Sequence, residues 1–220
     1  MTHFEEELKH LKQEVNILFV LVYTQLSKAR EALVKSDKDL AREVIQTEKR
    51  VNSQELRIDR DCENYFALYN PVAVDLRYLL AVLKINSNLE RTGDIAEGIA
   101  RFVVESNAIF DVELLESSQL LRMFDEAIGI MEDIEAAFEN EDTEIARSIF
   151  KRDEILDRIN REANKNLADY IQKNMANIDQ ALYALSAIRK LERVGDQAKN
   201  IAEELIFYIE AKVLKHSKKL

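Results

Sequence analysis

One proline and four glycines among 220 residues leave this chain few places at which a helix must break. A single cysteine, Cys62, has no second cysteine to pair with and no histidine nearby, which excludes an internal disulfide and a cysteine zinc site. Positive charge is scarce too: 31 Lys and Arg against 41 Asp and Glu give a formal net charge of −10. A protein that neutralises a phosphate backbone over a broad basic face is therefore not expected, and neither is a nucleic-acid partner. The most apolar run, "ILFVLVY" from Ile17 to Tyr23, is far shorter than the roughly 20 residues a membrane span needs, so it reads as buried helix. "MTHFEEELKHLK" at the start is acidic and amphipathic, unlike a secretory leader, and cytoplasmic residence is expected. His3, His10 and His216 all lie near the ends. No Ser-His-Asp or Cys-His constellation, phosphate loop or dinucleotide fingerprint is readable, so no catalytic residue is assigned and the chain is not read as an enzyme.

What is present is helical periodicity almost throughout, in a chain that is 33% charged and 47% apolar. The fold class expected is all-α. Leu8, Leu11, Val15, Leu18, Val22 and Leu26 mark a first helix over about residues 3–34. Ser36 or Asp37 caps a second, about 38–69, which "YNPVAVDLR" stops. Pro71 cannot continue that helix but suits the start of a third, about 72–108. "NAIFDVELLE" is a midpoint break, followed by helices near 112–139, 143–174 and 177–214. The terminal "KHSKKL", Lys215 to Leu220, reads as a solvated, fraying helix end.

The two sets of three helices match. "NLERTGDIAEGIA" from Asn88 returns as "KLERVGDQAKNIA" from Lys190, with Leu89, Glu90, Arg91, Gly93 and Asp94 repeated at a constant shift of 102 as Leu191, Glu192, Arg193, Gly195 and Asp196. A second block agrees at a shift of 105: "SDKDLARE" from Ser36 resembles "EDTEIARS" from Glu141, which places Glu48 on Asp153. The sequence predicts six long helices in two tandem three-helix bundles, residues 1–109 and 110–220, made by internal duplication.

Residues i, i+4, i+7 and i+11 share a helix face, here Glu90, Asp94, Glu97 and Arg101 in one copy and Glu192, Asp196, Lys199 and Glu203 in the other. On the preceding helix Glu48, Asn52, Glu55 and Asp59 share a face, as do Asp153 and Asp157. If those helices pack side by side, acidic and amide oxygens could converge, a donor set suited to iron, manganese, magnesium or calcium and poorly suited to structural zinc. Taken singly, a Glu-x-x-x-Asp pair is ordinary solvated surface, balanced by a neighbour such as Arg91, Arg193 or Lys199. Its repetition argues for more, as does a mid-helix glycine in both copies at a cost of about 1 kcal/mol each.

These residues also carry a resemblance. "NPVAVDLRYLLAVLKINSNLERTGDIAEGIA" and "LERVGDQAKNIAEE" resemble the two copies of the PhoU family signature, and the match extends over essentially the whole chain. The resemblance implies a cytoplasmic negative regulator of phosphate uptake and of the phosphate-starvation response. Such a regulator works between the ATPase subunit of the phosphate-specific ABC transporter and a sensor histidine kinase. It further implies a homodimer that is not inserted in the membrane, and clusters of metal ions, iron in particular, on Glu/Asp-x-x-x-Asp motifs. Those motifs fall on Glu90/Asp94, Glu192/Asp196 and Asp153/Asp157, with Glu203 ending the second copy.

Two departures qualify it. The motif on the second helix reads Glu48-x-x-x-Asn52, and Arg101 stands where the second copy has Glu203. An arginine there would repel a cation, so the second-half site is expected to be the stronger. Asp75 and Arg77 have no counterparts in the second half. They are either a first-turn acid with an exposed arginine or part of a partner-binding surface. A protein whose carboxylate clusters store or sense metal is the competing reading.

Overall fold

The computed structural model describes residues 2–106 and 109–214. The terminal "KHSKKL" and residues 107–108, over which the third helix was expected to run, lie outside the described residues. Helices α1 (His3–Lys35), α2 (Lys38–Tyr69) and α3 (Ala73–Glu105) form the first half. A short helix, α4 (Val112–Ser117), leads to α5 (Leu120–Asn140) and α6 (Thr143–Lys173), and a 3₁₀ turn at Met175–Asn177 leads to α7 (Ile178–Glu210).

Local chemistry sets most boundaries. Thr2 and Glu5 form a reciprocal capping box at α1. The Asp37 carboxylate accepts from the backbone N–H groups of Asp39 and Leu40, and Asp142 does the same for Glu144 and Ile145, so the repeat extends to its caps. Ser36 closes α1 in the left-handed region at φ 51°. Pro71 sits in the turn between Asn70 and Ala73 rather than inside α3, which begins two residues later.

One expected helix, 112–139, is interrupted. Gln119 adopts φ 58°, and the Ser118 hydroxyl accepts from the N–H of Leu120, ending α4 and starting α5 afresh. The chain thereby carries one short helix beyond the six expected, among the described residues.

The long helices that follow one another along the chain run antiparallel within each half, and all share one core. Leu11, Val15, Leu18, Val22 and Leu26 of the stripe expected on α1 are fully buried, and Leu8 packs against the core at its edge. The halves join through two helix pairs. α3 lies along α7, with Asn200 Nδ2 donating to Asn88 Oδ1 and the Tyr183 hydroxyl donating to the Ile99 carbonyl. α1 lies along α5, with Arg30 Nε 2.8 Å from Asp125. These four helices surround the centre, while α2 packs only on α1 and α3, and α6 on α5, α7 and the short elements beside them. The α2–α3 and α6–α7 seams therefore lie at opposite sides of the molecule. None of the described helices is long and apolar enough to cross a membrane.

Candidate functional site

Each seam is built around a glycine notch. A Cβ on Gly93 would stand 2.9 Å from Glu48 Oε2, 3.1 Å from Val51 and 3.2 Å from Gln25 Oε1. A Cβ on Gly195 would fall on Asp153 Oδ1 and within 2.7 Å of Leu156. Glycine is needed at these two mid-helix positions so that a carboxyl group from the neighbouring helix can lie against the backbone, and the carboxyl groups are buried as a result (Glu48 is 4% exposed and Asp153 3%). The repeat aligned these two acids by sequence, and the structure gives them the same seat.

Their partners differ. Gln25 of α1 is buried and donates through Nε2 to Glu48 Oε2 at 3.0 Å and to the Val44 carbonyl at 3.3 Å. Burial pushes the Glu48 carboxyl up to about 7, the amide hydrogen bond pulls it back, and Asp94, Glu97 and Glu90 push it further up. Glu48 Oε1 and Gln25 Oε1 are buried acceptors without a hydrogen-bond donor among the described residues. In the second half Lys199 Nζ bridges Asp153 Oδ2 at 2.5 Å and Asp196 Oδ1 at 2.9 Å. Burial works against the ammonium, but those two hydrogen bonds outweigh it and hold the Lys199 pKa above the usual lysine value.

The other expected residues fall around these two centres. Burial raises the carboxyl of Glu90, with Asp94 and Glu55 adding to it. Burial likewise raises that of Glu192, with Asp196, Asp157 and Asp153 adding to it. Asp94 is exposed and Asp157 half-buried. Glu203 departs from the others: it lines the groove between α3 and α7 with Lys84, Asn88 and Asn200. Arg77 donates from Nε to the Tyr208 carbonyl, tying the start of α3 to the end of α7, and Asp75 lines a cleft with Lys9, Lys12 and Tyr78.

The expected convergence of carboxylates is not realised as a cage. Among the described residues no three His, Cys, Asp or Glu side chains are grouped closely enough to hold a metal ion. At the second seam an ammonium already lies between the two best-placed carboxylates, so its residues as arranged do not fit a metal. The first seam holds two buried oxygens without a donor among the described residues, Glu48 Oε1 and Gln25 Oε1, while the second holds one, Asp153 Oδ1, beside the lysine. Arg101, expected to disfavour the first seam, turns to Glu97 at 2.6 Å on the exposed surface, while Lys199 reaches into the second. Gln25 was missed by sequence reading. The available signal was a polar residue on the otherwise apolar stripe formed by Val22, Leu26 and Ala29.

Fold and seams together define a class: a duplicated antiparallel helical bundle with a buried carboxyl group in a glycine notch at each outer seam. The family model described as the PhoU domain matches residues 15–103 and 120–205, one match to each half. The chain belongs to the PhoU family. It is 32% identical over 216 residues to the phosphate-specific transport system accessory protein PhoU homolog 1 of Thermotoga maritima, covering 97% of this chain and 91% of that protein. It is also 32% identical over 213 residues to the phosphate-specific transport system accessory protein PhoU of Escherichia coli, covering 97% and 88%. The crystal structure of PhoU from Pseudomonas aeruginosa superposes with a TM-score of 0.85 at 28% identity, covering 96% of this chain and all of that one. The phosphate transport system regulatory protein PhoU from Streptococcus pneumoniae superposes at 0.84 and 29%, covering 96% and 99%. The resemblance read from the two signature runs and the all-α duplicated fold are thereby established.

Proposed function

We propose that this chain is a cytoplasmic negative regulator of phosphate uptake, an adaptor that contacts the ATPase subunit of a phosphate-specific ABC transporter and a sensor histidine kinase, and that it works as a homodimer. The observation that carries this reading is the alignment, over 97% of the chain, with proteins named as accessories of phosphate-specific transport. The surface agrees with a role in binding proteins. Around the turn into α3, Leu68, Val72, Val74, Leu76 and Leu80 are apolar yet exposed, next to the cleft holding Asp75. This is the surface on which Asp75 would meet a partner, while Arg77 holds the turn in place.

The test is capture of the tagged chain from its own cells grown at high and at low phosphate. Recovery of the transporter ATPase subunit or a sensor kinase, in amounts that change with phosphate, is the expected result. Unchanged phosphate uptake and unchanged phosphate-responsive transcription after deletion of the chain would overturn the reading.

A second reading, metal sensing or storage on carboxylates with iron as the expected ion, is favoured by the two buried oxygens of Glu48 and Gln25 that lack donors. Glu48, Glu90 and Asp94 are the side chains that would hold the ion, and all of them supply the hard oxygen donors such ions prefer. Loss of bound iron from Glu48→Gln together with loss of regulation would favour this reading. Loss of iron with regulation intact would leave the adaptor reading alone.

A further inference from the structure

We propose that Lys199 is the resident cation of the α6–α7 seam and that this seam takes no metal ion in the native chain. The inference does not depend on the phosphate reading, since it concerns only what fills the space between two carboxylates.

Asp153 and Asp196 come from different helices and both point at one ammonium group. Nζ lies 2.5 Å from Asp153 Oδ2 and 2.9 Å from Asp196 Oδ1, and the lysine side chain is 27% exposed. A hard divalent cation held between these two carboxylates would need their oxygens at about 2.0–2.6 Å, and the ammonium already occupies one oxygen of each, Asp153 Oδ2 and Asp196 Oδ1. Two charge-assisted hydrogen bonds would have to break before it could enter. The lysine is covalently attached, so it competes at a fixed high local concentration that a free ion does not have.

The first half supplies the internal control. Lys199 corresponds to Glu97 at the same shift of 102 that relates the two signature runs. Glu97 carries the opposite charge, and its partner is the exposed Arg101 rather than a buried acid. Ile130 stands twelve residues before the Asp142 cap, as Gln25 stands twelve before Asp37, so the second seam also lacks the amide that faces Glu48. With a glycine beneath it and no glutamine at the position that corresponds to Gln25, Asp153 has Lys199 as the cation seated against it. Duplication thus produced one seam whose buried acid rests on an amide and one in which a lysine does the work of an ion.

Mn²⁺ binding to the full chain, followed by the electron paramagnetic resonance of the free ion, tests the proposal. Helical circular dichroism and a melting curve accompany each variant. Lys199→Glu, which installs the acid found at position 97, is expected to bind one Mn²⁺ more per chain than the native protein. Adding Asp153→Asn should abolish that gain. In the native background Asp157→Asn and Glu192→Gln, both at partly exposed positions, should leave Mn²⁺ uptake unchanged. No gain in a folded Lys199→Glu variant would overturn the proposal, and so would loss of a native Mn²⁺ ion on Asp157→Asn or Glu192→Gln. If Lys199→Glu fails to fold, those two native-background variants decide the question alone.

Discussion

In the first half a buried carboxyl, Glu48, rests against a neutral amide; in the second its counterpart, Asp153, rests against an ammonium. Both acids occupy a notch left by a glycine of the signature run, and both are almost wholly out of water. Removing a carboxylate from water is costly, and there are two ways to limit that cost: keep the proton, or seat a cation beside it. Glu48 takes the first route, with its carboxyl pushed up to about 7. Asp153 has the cation of Lys199 beside it, although burial still holds its carboxyl above the usual aspartate range. The same inherited geometry therefore tolerates two electrostatic solutions, and two positions separate them: Lys199 against Glu97 and Ile130 against Gln25.

The largest expected effect separates the two glycines. In Gly195→Ala the new methyl falls on Asp153 Oδ1 and Leu156, so the carboxylate must leave both notch and lysine. A loss of about 3 kcal/mol is expected, overpacking and a broken buried pair outweighing the helix propensity gained. Gly93→Ala meets the movable ends of Glu48 and Gln25 and, at 3.1 Å, a methyl of buried Val51, and should cost about 1 kcal/mol. Urea midpoints of the two variants compare them directly, and equal shifts would remove the distinction.

Next come the acids themselves. Asp153→Asn leaves Lys199 paired only with the more exposed Asp196, and about 2 kcal/mol should be lost at neutral pH. Glu48→Gln keeps an acceptor for Gln25 and removes a buried acid, so in metal-free buffer it should match or exceed the native melting temperature. Melting curves at pH 7 check both.

The Glu48 comparison also has a pH signature. A folded pKa of about 7 lies above the ordinary 4.5, so the folded state holds this proton more tightly than the unfolded chain does. The stability contributed is fully present below pH 4.5 and is lost as the pH rises through 7. Glu48→Gln and the native chain should thus be about equally stable near pH 4.5. The variant should be ahead by at most about 3 kcal/mol at pH 8. A constant difference across that range would show that the carboxyl is not desolvated in the way described.

The smallest effect concerns Arg101. Its pair with Glu97 is exposed and screened, so Arg101→Ala should leave the urea midpoint where it is. A clear shift would mean that the first seam depends on an arginine after all.

Much of the fold could be read before any coordinates. The stripe from Leu11 to Leu26, the stop at Pro71 and the caps Asp37 and Asp142 are local signals, each acting within one or two turns of its own helix. The break at Gln119 was not legible, because neither the left-handed backbone of a glutamine nor the cap offered by Ser118 is marked by residue type alone. The site was legible in part. Repetition picked out Glu48, Glu90, Asp94, Asp153, Glu192 and Asp196, since duplication preserves spacing. It could not separate Glu203 from Asp196, because helical period places a side chain on a face without saying which neighbour that face meets.

The sequence by itself determined the all-helical class, all but one of the helix breaks, the duplication and the family, because period, caps and repeated motifs are written in residues close together along the chain. Tertiary structure alone decided which acid is buried, which amide or ammonium meets it, and that the halves share one core. Those outcomes depend on helices distant along the chain arriving at one seam, where the side chain that reaches the buried acid, an amide or an ammonium, decides the local charge.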